Sequence, residues 1–394
     1  MNFSFARTPS GPTLSPNALT GTAPISAKAL ILATFALVSL SLVMVYSTRS
    51  LLDASTRGGE FMHFKKQVVW VLLGLVFMTA AACTDYQRMT RLAKPLMWFS
   101  LALLVLCYVP GIGLRVRDQA RWIGFAGFTF QPSELAKLAL VIYMADTLTR
   151  KREQLRSFTF GFLPAAAITG GFLILIVLEQ DLGATVVLGL IIWLMWFVAG
   201  MRLTHLVSLL FAAIPAGTVF IMSAPWRIKR LIAFVNPEDH RGDFGLQLDQ
   251  SLVAIGSGGP FGHGLGEGMQ KVYFLPDGHT DFIFAHICEE LGLIGGLCVL
   301  GIFATFTLIG VVTALRMPDF LGSLLACGLT LMLVVPAMMN IMVVTGMLPT
   351  KGLALPMVSY GGSQMLVNLT AVGILTNIVY HRQRTVDGRR RRRA

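Results

Sequence analysis

The stretch LPDGHTDFIFAH, Leu275 to His286, sets a carboxylate where polar, turn-forming residues give way to an apolar run. Asp281 has His279 and Thr280 before it and Phe282, Ile283 and Phe284 after it. A carboxylate at such a boundary is a candidate general base, and equally a cap for the helix that follows. Arg121-Trp122 pairs a cation with a flat aromatic face, and in QPSE the Pro132, Ser133 and Glu134 pattern marks a helix start. Lys137 follows Glu134 by three residues, on the same helical face and about a turn deeper, as a functional group or as a structural ion pair. Glu179 and Asp181 form a second acidic pair, able to bind a cation or to orient a basic partner. Lys351 offers charge to an anion, and Ser359, Tyr360 and Ser363 supply donors.

The elements that must position these groups are membrane helices. The chain is 55% hydrophobic and 13% charged, with a mean hydropathy of +0.69. Apolar runs of about 20 residues recur, the length a helix needs to cross a hydrocarbon core. They do not alternate as barrel strands would. The expected fold is therefore all-α and polytopic. About ten transmembrane helices are expected near 28–47, 67–84, 95–110, 133–149, 158–178, 182–200, 204–223, 283–314, 320–345 and 362–380. A large extracytoplasmic loop, 223–282, joins helices 7 and 8. The eighth span is too long for one straight crossing and is expected to begin outside the bilayer or to bend at Gly295-Gly296. Residues 1–27 read as a disordered tail, 28–380 as the membrane domain and 381–394 as a basic tail. Basic residues in alternate turns (Arg88, Arg91, Arg150, Lys151, Arg202, Arg316) and in the arginine-rich tail place both termini in the cytoplasm. Segments 110–132, 223–282 and 345–361 then face outward together, and they carry nearly all of the unusual polar chemistry.

Composition also excludes. The five cysteines fall in apolar segments without metal-ligand spacing and read as packing residues. The net charge of +12 owes much to the arginine tail, which suits anionic membrane lipids rather than nucleic acid. The glycine-rich AIGSGGPFGHGLG fits neither nucleotide-loop pattern. It is expected instead to aim backbone N–H groups at an anion, with Lys271 and Arg241 adding full charges. Glu289 and Glu290, two turns into span eight, need partners inside the bundle, and Lys137 is one candidate.

The motifs RWIGFAGFTFQPSELAKL, AIGSGGPFGHGLG, QKVYFLPDGHTDFIFA, EELGLIG and PTKGLALPMVSYGGS, in this order from Arg121 to Ser363, resemble those of the SEDS family of shape, elongation, division and sporulation proteins. Lys351 in PTKG is similar to the cell-division type; the elongation type tends to carry Thr there. The resemblance implies a peptidoglycan glycosyltransferase that polymerises lipid II in the bacterial cytoplasmic membrane, at the division septum. It implies that Asp281 is the essential carboxylate and that Trp122 is functionally important. It also implies a cognate class B penicillin-binding protein of the FtsI-like kind, with other divisome proteins as partners.

The chemistry of such a transfer sets what the site must hold. An α-linked donor and a β-1,4 product require one inversion, so one base must take the proton of the attacking hydroxyl. Pyrophosphate leaves well once its charge is neutralised, which cations can do. Asp281 is expected as the base. Arg121, Lys271 and Lys351, with Mg²⁺ or Mn²⁺, are expected at the pyrophosphate, and Trp122, Glu134, Lys137, His279, Thr280, Ser359 and Ser363 elsewhere on the substrate. Two rival readings are a lipid II flippase, with Glu134, Lys137 and Glu289 lining a path across the bilayer, and a non-catalytic division scaffold.

Overall fold

The computed structural model describes residues 27–54, 61–116, 119–125, 128–235, 245–268 and 280–391. Lys271, His279 and Arg241, three of the expected functional residues, lie outside them.

The bundle is built from α1 (Ala27–Ala54), α2 (Met62–Cys83), α3 (Ala93–Leu106), α4 (Pro132–Arg150), α5 (Leu163–Leu178), α6 (Leu182–Ala199), α7 (Leu203–Met222), α8 (Pro225–Val235), α9 (Leu246–Ser257), α10 (Ile283–Arg316), α11 (Phe320–Val344) and α12 (Gly362–Arg391). Among the described residues, nine helical segments are long and apolar enough to cross a membrane. The tenth expected span is α4. Its Glu134, Lys137, Asp146 and Arg150 exclude it by composition, yet 15 of its 19 residues are buried, against α3, α6, α11 and α12. The other helices, not lipid, surround Glu134, Lys137 and Asp146, while Arg150 is exposed at the helix end.

Helix ends follow local rules. Asp181 caps α6 by accepting from the Ala184 N–H at 2.9 Å, and Asp319 caps α11 by accepting from Gly322 at 2.7 Å. Gly200 closes α6 in the left-handed region, φ 87°, where glycine meets no steric penalty. Asp319 also accepts from the Tyr86 hydroxyl at 3.0 Å, tying α11 to the short turn that precedes α3.

Two features depart from the sequence reading. The segment between α3 and α4, expected as an outward-facing stretch of an all-α chain, holds a three-stranded antiparallel sheet: β1 (Gly113–Val116), β2 (Gln119–Phe125) and β3 (Phe128–Phe130), in the order β1-β2-β3. Strand pairing satisfies backbone groups at the rim of the bundle that helices cannot reach. Arg121 and Trp122 ride on the central strand.

The second departure is the break in α10, at Gly292 (φ 69°, ψ −167°) rather than at Gly295-Gly296. Gly296 is a close-packing position instead: a Cβ there would lie 2.9 Å from Cys288 Sγ. The break frees helix carbonyls and N–H groups, and the glycine-rich loop takes them up. His263 N–H donates to Glu289 O and Gly264 N–H to Glu290 O, both at 3.0 Å; Leu293 N–H donates to Gly259 O at 2.9 Å and Ile294 N–H to Pro260 O at 3.3 Å. The approach requires bare backbone, since a Cβ on Gly262 would collide with Glu290 O. The loop is therefore a strap across the kink. The expected anion cradle is corrected accordingly: its His263 and Gly264 N–H groups are taken by the helix, and Gly266 N–H donates at 3.0 Å to the protein's own Glu290 carboxylate.

Lys137, one candidate partner for Glu289 and Glu290, instead forms the structural ion pair with Glu134 that their spacing also allowed. Lys137 Nζ lies 2.8 Å from Glu134 Oε1. Glu290 accepts from Ser47 of α1 at 2.6 and 2.8 Å, and Glu289 Oε2 lies 3.4 Å from His286 Nδ1.

Candidate active site

The three segments expected on one face converge at Asp281, where two cavities meet. The first, about 360 Å³, is lined by Arg121, Arg227, Arg230 and Lys351 against the carboxylates of Asp181 and Asp281. The second, about 430 Å³, is lined by Trp122, Gln131, Glu134, Lys137, Thr280, Tyr360, Ser363 and Gln364 among others. Asp281, Arg121, Asp181, Gln119 and Gly352 border both.

Asp281 begins the approach to α10, and its backbone is clamped from two sides. Asn340, buried in α11, donates through Nδ2 to the carbonyl of Asp281 at 2.7 Å and also to that of Leu353. Ser359 donates its hydroxyl to the carbonyl of Thr280 and accepts from Leu355 N–H at 2.8 Å. Ser359 was expected at the substrate. The structure corrects this: it is 2% exposed, lines neither cavity, and uses its hydroxyl to hold the 350–360 segment against Thr280. Gly352 stands beside the Asp281 carboxylate, where a Cβ would come within 3.2 Å of Oδ2.

Arg121 is fixed by the turn between α5 and α6. Its Nε donates to Glu179 O at 3.1 Å and its Nη2 to Gln180 O at 2.6 Å, and Nη1 lies 3.6 Å from Asp181 Oδ2. Gln180 holds the left-handed region, φ 63°, at a cost of about 1–2 kcal/mol for a residue with a Cβ. That strain turns two carbonyls toward one guanidinium. Of the acidic pair, only the Asp181 carboxylate faces this basic group, and Glu179 contributes its backbone carbonyl instead. The Glu179 carboxyl itself is 1% exposed, and neither oxygen has a hydrogen-bond partner among the described residues. Burial, then Asp181, push its pKa up to about 8, with Arg121 opposing.

Two cations of the first cavity escaped the sequence reading. Arg227 and Arg230 sit on α8, an amphipathic helix with Trp226 and Leu231 also facing the cavity. Arg227 donates to Phe220 O at 2.7 Å, with its guanidinium 3.7 Å from the Phe220 ring centroid. The signal was present in PWRIKRLI as the i, i+4 spacing of Trp226 with Arg230 and of Arg227 with Leu231. Burial lowers the pKa of Arg230, with Asp281 opposing; burial and then Arg230 lower that of Lys351. Four cations crowd a small space and repel one another, so a multivalent anion would relieve them.

The second cavity is balanced where the first is positive. Glu134 and Lys137 cancel in their 2.8 Å pair, and Trp122 and Tyr360 supply aromatic walls. Among the described residues no three His, Cys, Asp or Glu side chains gather as a metal cage. Mg²⁺ needs less, since it commonly takes one or two carboxylates with substrate phosphates. Asp281 in the cationic cavity meets that minimum; the Asp181 carboxylate already accepts from Ala184 and Gln131 and faces Arg121.

Comparison with known proteins gives this arrangement a context. Residues 28–384 match the family of cell cycle proteins comprising FtsW, RodA and SpoVE. A probable peptidoglycan glycosyltransferase FtsW of Geobacter sulfurreducens is 41% identical over 349 residues, 89% of this chain and 94% of that protein. Stage V sporulation protein E of Bacillus subtilis is 40% identical over 351 residues, 89% of this chain and 95% of the other. Among solved structures, a chain of a peptidoglycan synthase complex that coordinates polymerization and crosslinking superposes with a TM-score of 0.73 at 27% identity, covering 90% of this chain and 97% of the other. The rod shape determining protein RodA of Thermus thermophilus gives 0.66 at 26% identity, covering 90% and 96%.

Proposed function

The chain belongs to the FtsW, RodA and SpoVE family of cell cycle proteins, and from that premise we propose that its two cavities are the donor and acceptor sites of a peptidoglycan glycosyltransferase acting in septal wall synthesis. The observation that carries the reading is the placement of Asp281 on the border of a cationic cavity and an electrically balanced, aromatic one. A lipid-linked sugar diphosphate suits the first, and a sugar hydroxyl suits the second. The lipid-linked substrate is lipid II, a disaccharide-pentapeptide on undecaprenyl pyrophosphate.

In this mechanism the Asp281 carboxylate takes the proton of the acceptor 4-hydroxyl. The oxygen attacks C1 of the donor sugar from the face opposite the diphosphate, the C1–O bond breaks, and the bonding pair leaves on the diphosphate. One displacement inverts the α linkage to β-1,4. A single carboxylate suffices because the leaving group needs charge neutralisation rather than a proton, unlike the alkoxide leaving group that obliges glycosidases to carry a second acid. Arg121, Arg227, Arg230 and Lys351 provide that neutralisation in a fixed array, which needs no reorganisation at the moment of reaction. A divalent cation, Mg²⁺ or Mn²⁺, held by Asp281 with the diphosphate, would add to it. Asn340 and Ser359 keep the base in place by gripping its backbone rather than its carboxylate. Trp122 offers its face to the acceptor sugar.

The positive turns and tail support a cytoplasmic-membrane orientation with both termini inside and the Asp281 end outside. The relation to a polymerizing and crosslinking complex supports a class B penicillin-binding protein as partner. The test is purified protein, with that partner, given fluorescent lipid II in vesicles. Glycan polymer is the expected product. Leaflet exchange without polymer would instead indicate a flippase, and neither result a scaffold.

A further inference from the structure

The second cavity carries a feature that the transfer chemistry does not use. Its floor is formed where the start of α4 meets the start of α12. Glu134 is 6% exposed, Lys137 6% and Ser363 1%. Glu134 Oε1 is engaged by Lys137, but Glu134 Oε2 and Ser363 Oγ have no hydrogen-bond partner among the described residues. The ammonium has three donors and gives one to Glu134, so two remain. A buried carboxylate oxygen and a buried hydroxyl left unmet are costly, and both belong to residues that line the cavity. The apolar residues lining the same cavity include Ala184, Pro336, Leu353 and Ala354.

A ligand group that completes this floor needs one N–H for the free carboxylate oxygen, one carbonyl oxygen for the ammonium or the serine hydroxyl, and a small apolar end for the alanine and proline surface. A secondary acetamide has all three. A sugar hydroxyl has no apolar end and is shorter than the amide, and a free amine would bring a second ammonium beside Lys137. We propose that Glu134, Lys137 and Ser363 form a subsite that reads the 2-acetamido group of the acceptor N-acetylhexosamine while its 4-hydroxyl faces Asp281. The inference rests on the acceptor reading of this cavity. It assigns Glu134 and Lys137 to substrate discrimination rather than to a path across the membrane. The ion pair both neutralises the buried charges and leaves one carboxylate oxygen oriented for the amide.

The experiment uses the full-length protein with its partner. A lipid II whose 4-hydroxyl is blocked serves only as donor. The acceptor is either lipid II or an analogue with a 2-hydroxyl in place of the 2-acetamido group on its non-reducing sugar, and the readout is coupled product against acceptor and donor concentration. Losing a hydrogen bond to a charged group corresponds to about a ten- to hundred-fold loss. The wild type is expected to lose that factor on the analogue through the acceptor KM, with the donor KM unchanged. Glu134→Gln is expected to narrow the preference to under about threefold and Ser363→Ala to reduce it by about two- to tenfold, both by raising the KM for the natural acceptor. Wild-type coupling without preference between the two acceptors would overturn the subsite. So would a full preference retained by both variants. Absence of any coupling from natural lipid II would overturn the transferase reading itself, and the subsite with it.

Discussion

The two cavities flanking Asp281 share Gln119, Arg121, Asp181 and Gly352 and differ in electrostatic character. The donor cavity concentrates four cations, two of them from α8, and leaves them unneutralised except for Asp181 and Asp281. The acceptor cavity contains the Glu134–Lys137 ion pair and shares Arg121, Asp181 and Asp281 with the first, and its remaining polar and aromatic groups are neutral. The difference lies in what each must accommodate. A diphosphate brings its own negative charge, so the protein can store repulsion that binding relieves. A neutral sugar brings none, so charge in its cavity must be paired beforehand or bear the full desolvation penalty.

Arg121 borders both cavities, and its removal is the largest perturbation expected short of Asp281 itself. Arg121→Ala loses two hydrogen bonds to backbone carbonyls and a cation beside the diphosphate. A fall in polymerisation of about 10²–10³-fold is expected, measured as polymer per unit time at saturating lipid II. Substitutions that belong to one cavity should then separate. Arg230→Ala should cost about 10²-fold, seen with the donor varied. Trp122→Ala should cost about tenfold, confined to the acceptor KM, as loss of one aromatic face warrants. Equal effects of the two on both substrates would erase the distinction between the cavities.

Asn340→Ala releases one of the two grips on the Asp281 backbone. It is expected to lower kcat about tenfold with KM nearly unchanged, because the base wanders while both substrates still bind. Steady-state kinetics with both substrates varied would show it. The smallest effect belongs to Glu179. Its carboxyl keeps a proton in the folded chain up to about pH 8 that the unfolded chain loses at the ordinary carboxylate pKa. The stability cost of burying it therefore grows as pH rises through that window. Glu179→Gln should melt like the wild type at pH 5 and about 2–4 °C higher at pH 8, followed by thermal unfolding in detergent.

The sequence showed these elements unevenly, for physical reasons. Hydropathy reports contact with lipid, so it found α7, whose only buried residue is Leu206, as readily as the interior helices. It understated α4, whose Glu134, Lys137 and Asp146 are enclosed by other helices rather than by water. The helix-start pattern at Pro132 located that span despite its composition. Asp281 was legible because a carboxylate at the edge of an apolar run is costly to keep unless a helix cap or a reaction requires it. The role of Ser359 was not, because a serine among glycines and prolines looks the same whether it faces a ligand or a backbone carbonyl. Arg227 and Arg230 were missed because the spacing in PWRIKRLI marks one face of a helix but not the cavity that face meets. The break at Gly292 was also out of reach: one glycine in GLIGG gains its positive φ only because a strap some 30 residues earlier is ready to satisfy the freed backbone.

The most direct measurement separates binding from turnover at Asp281. Purified Asp281→Asn, with its partner, is to be assayed for lipid II affinity and for glycan product side by side. The account predicts affinity within a few-fold of the wild type and no detectable polymer, since the amide keeps the shape and loses the proton acceptor. Polymer formed by the variant at a rate near that of the wild type would contradict it.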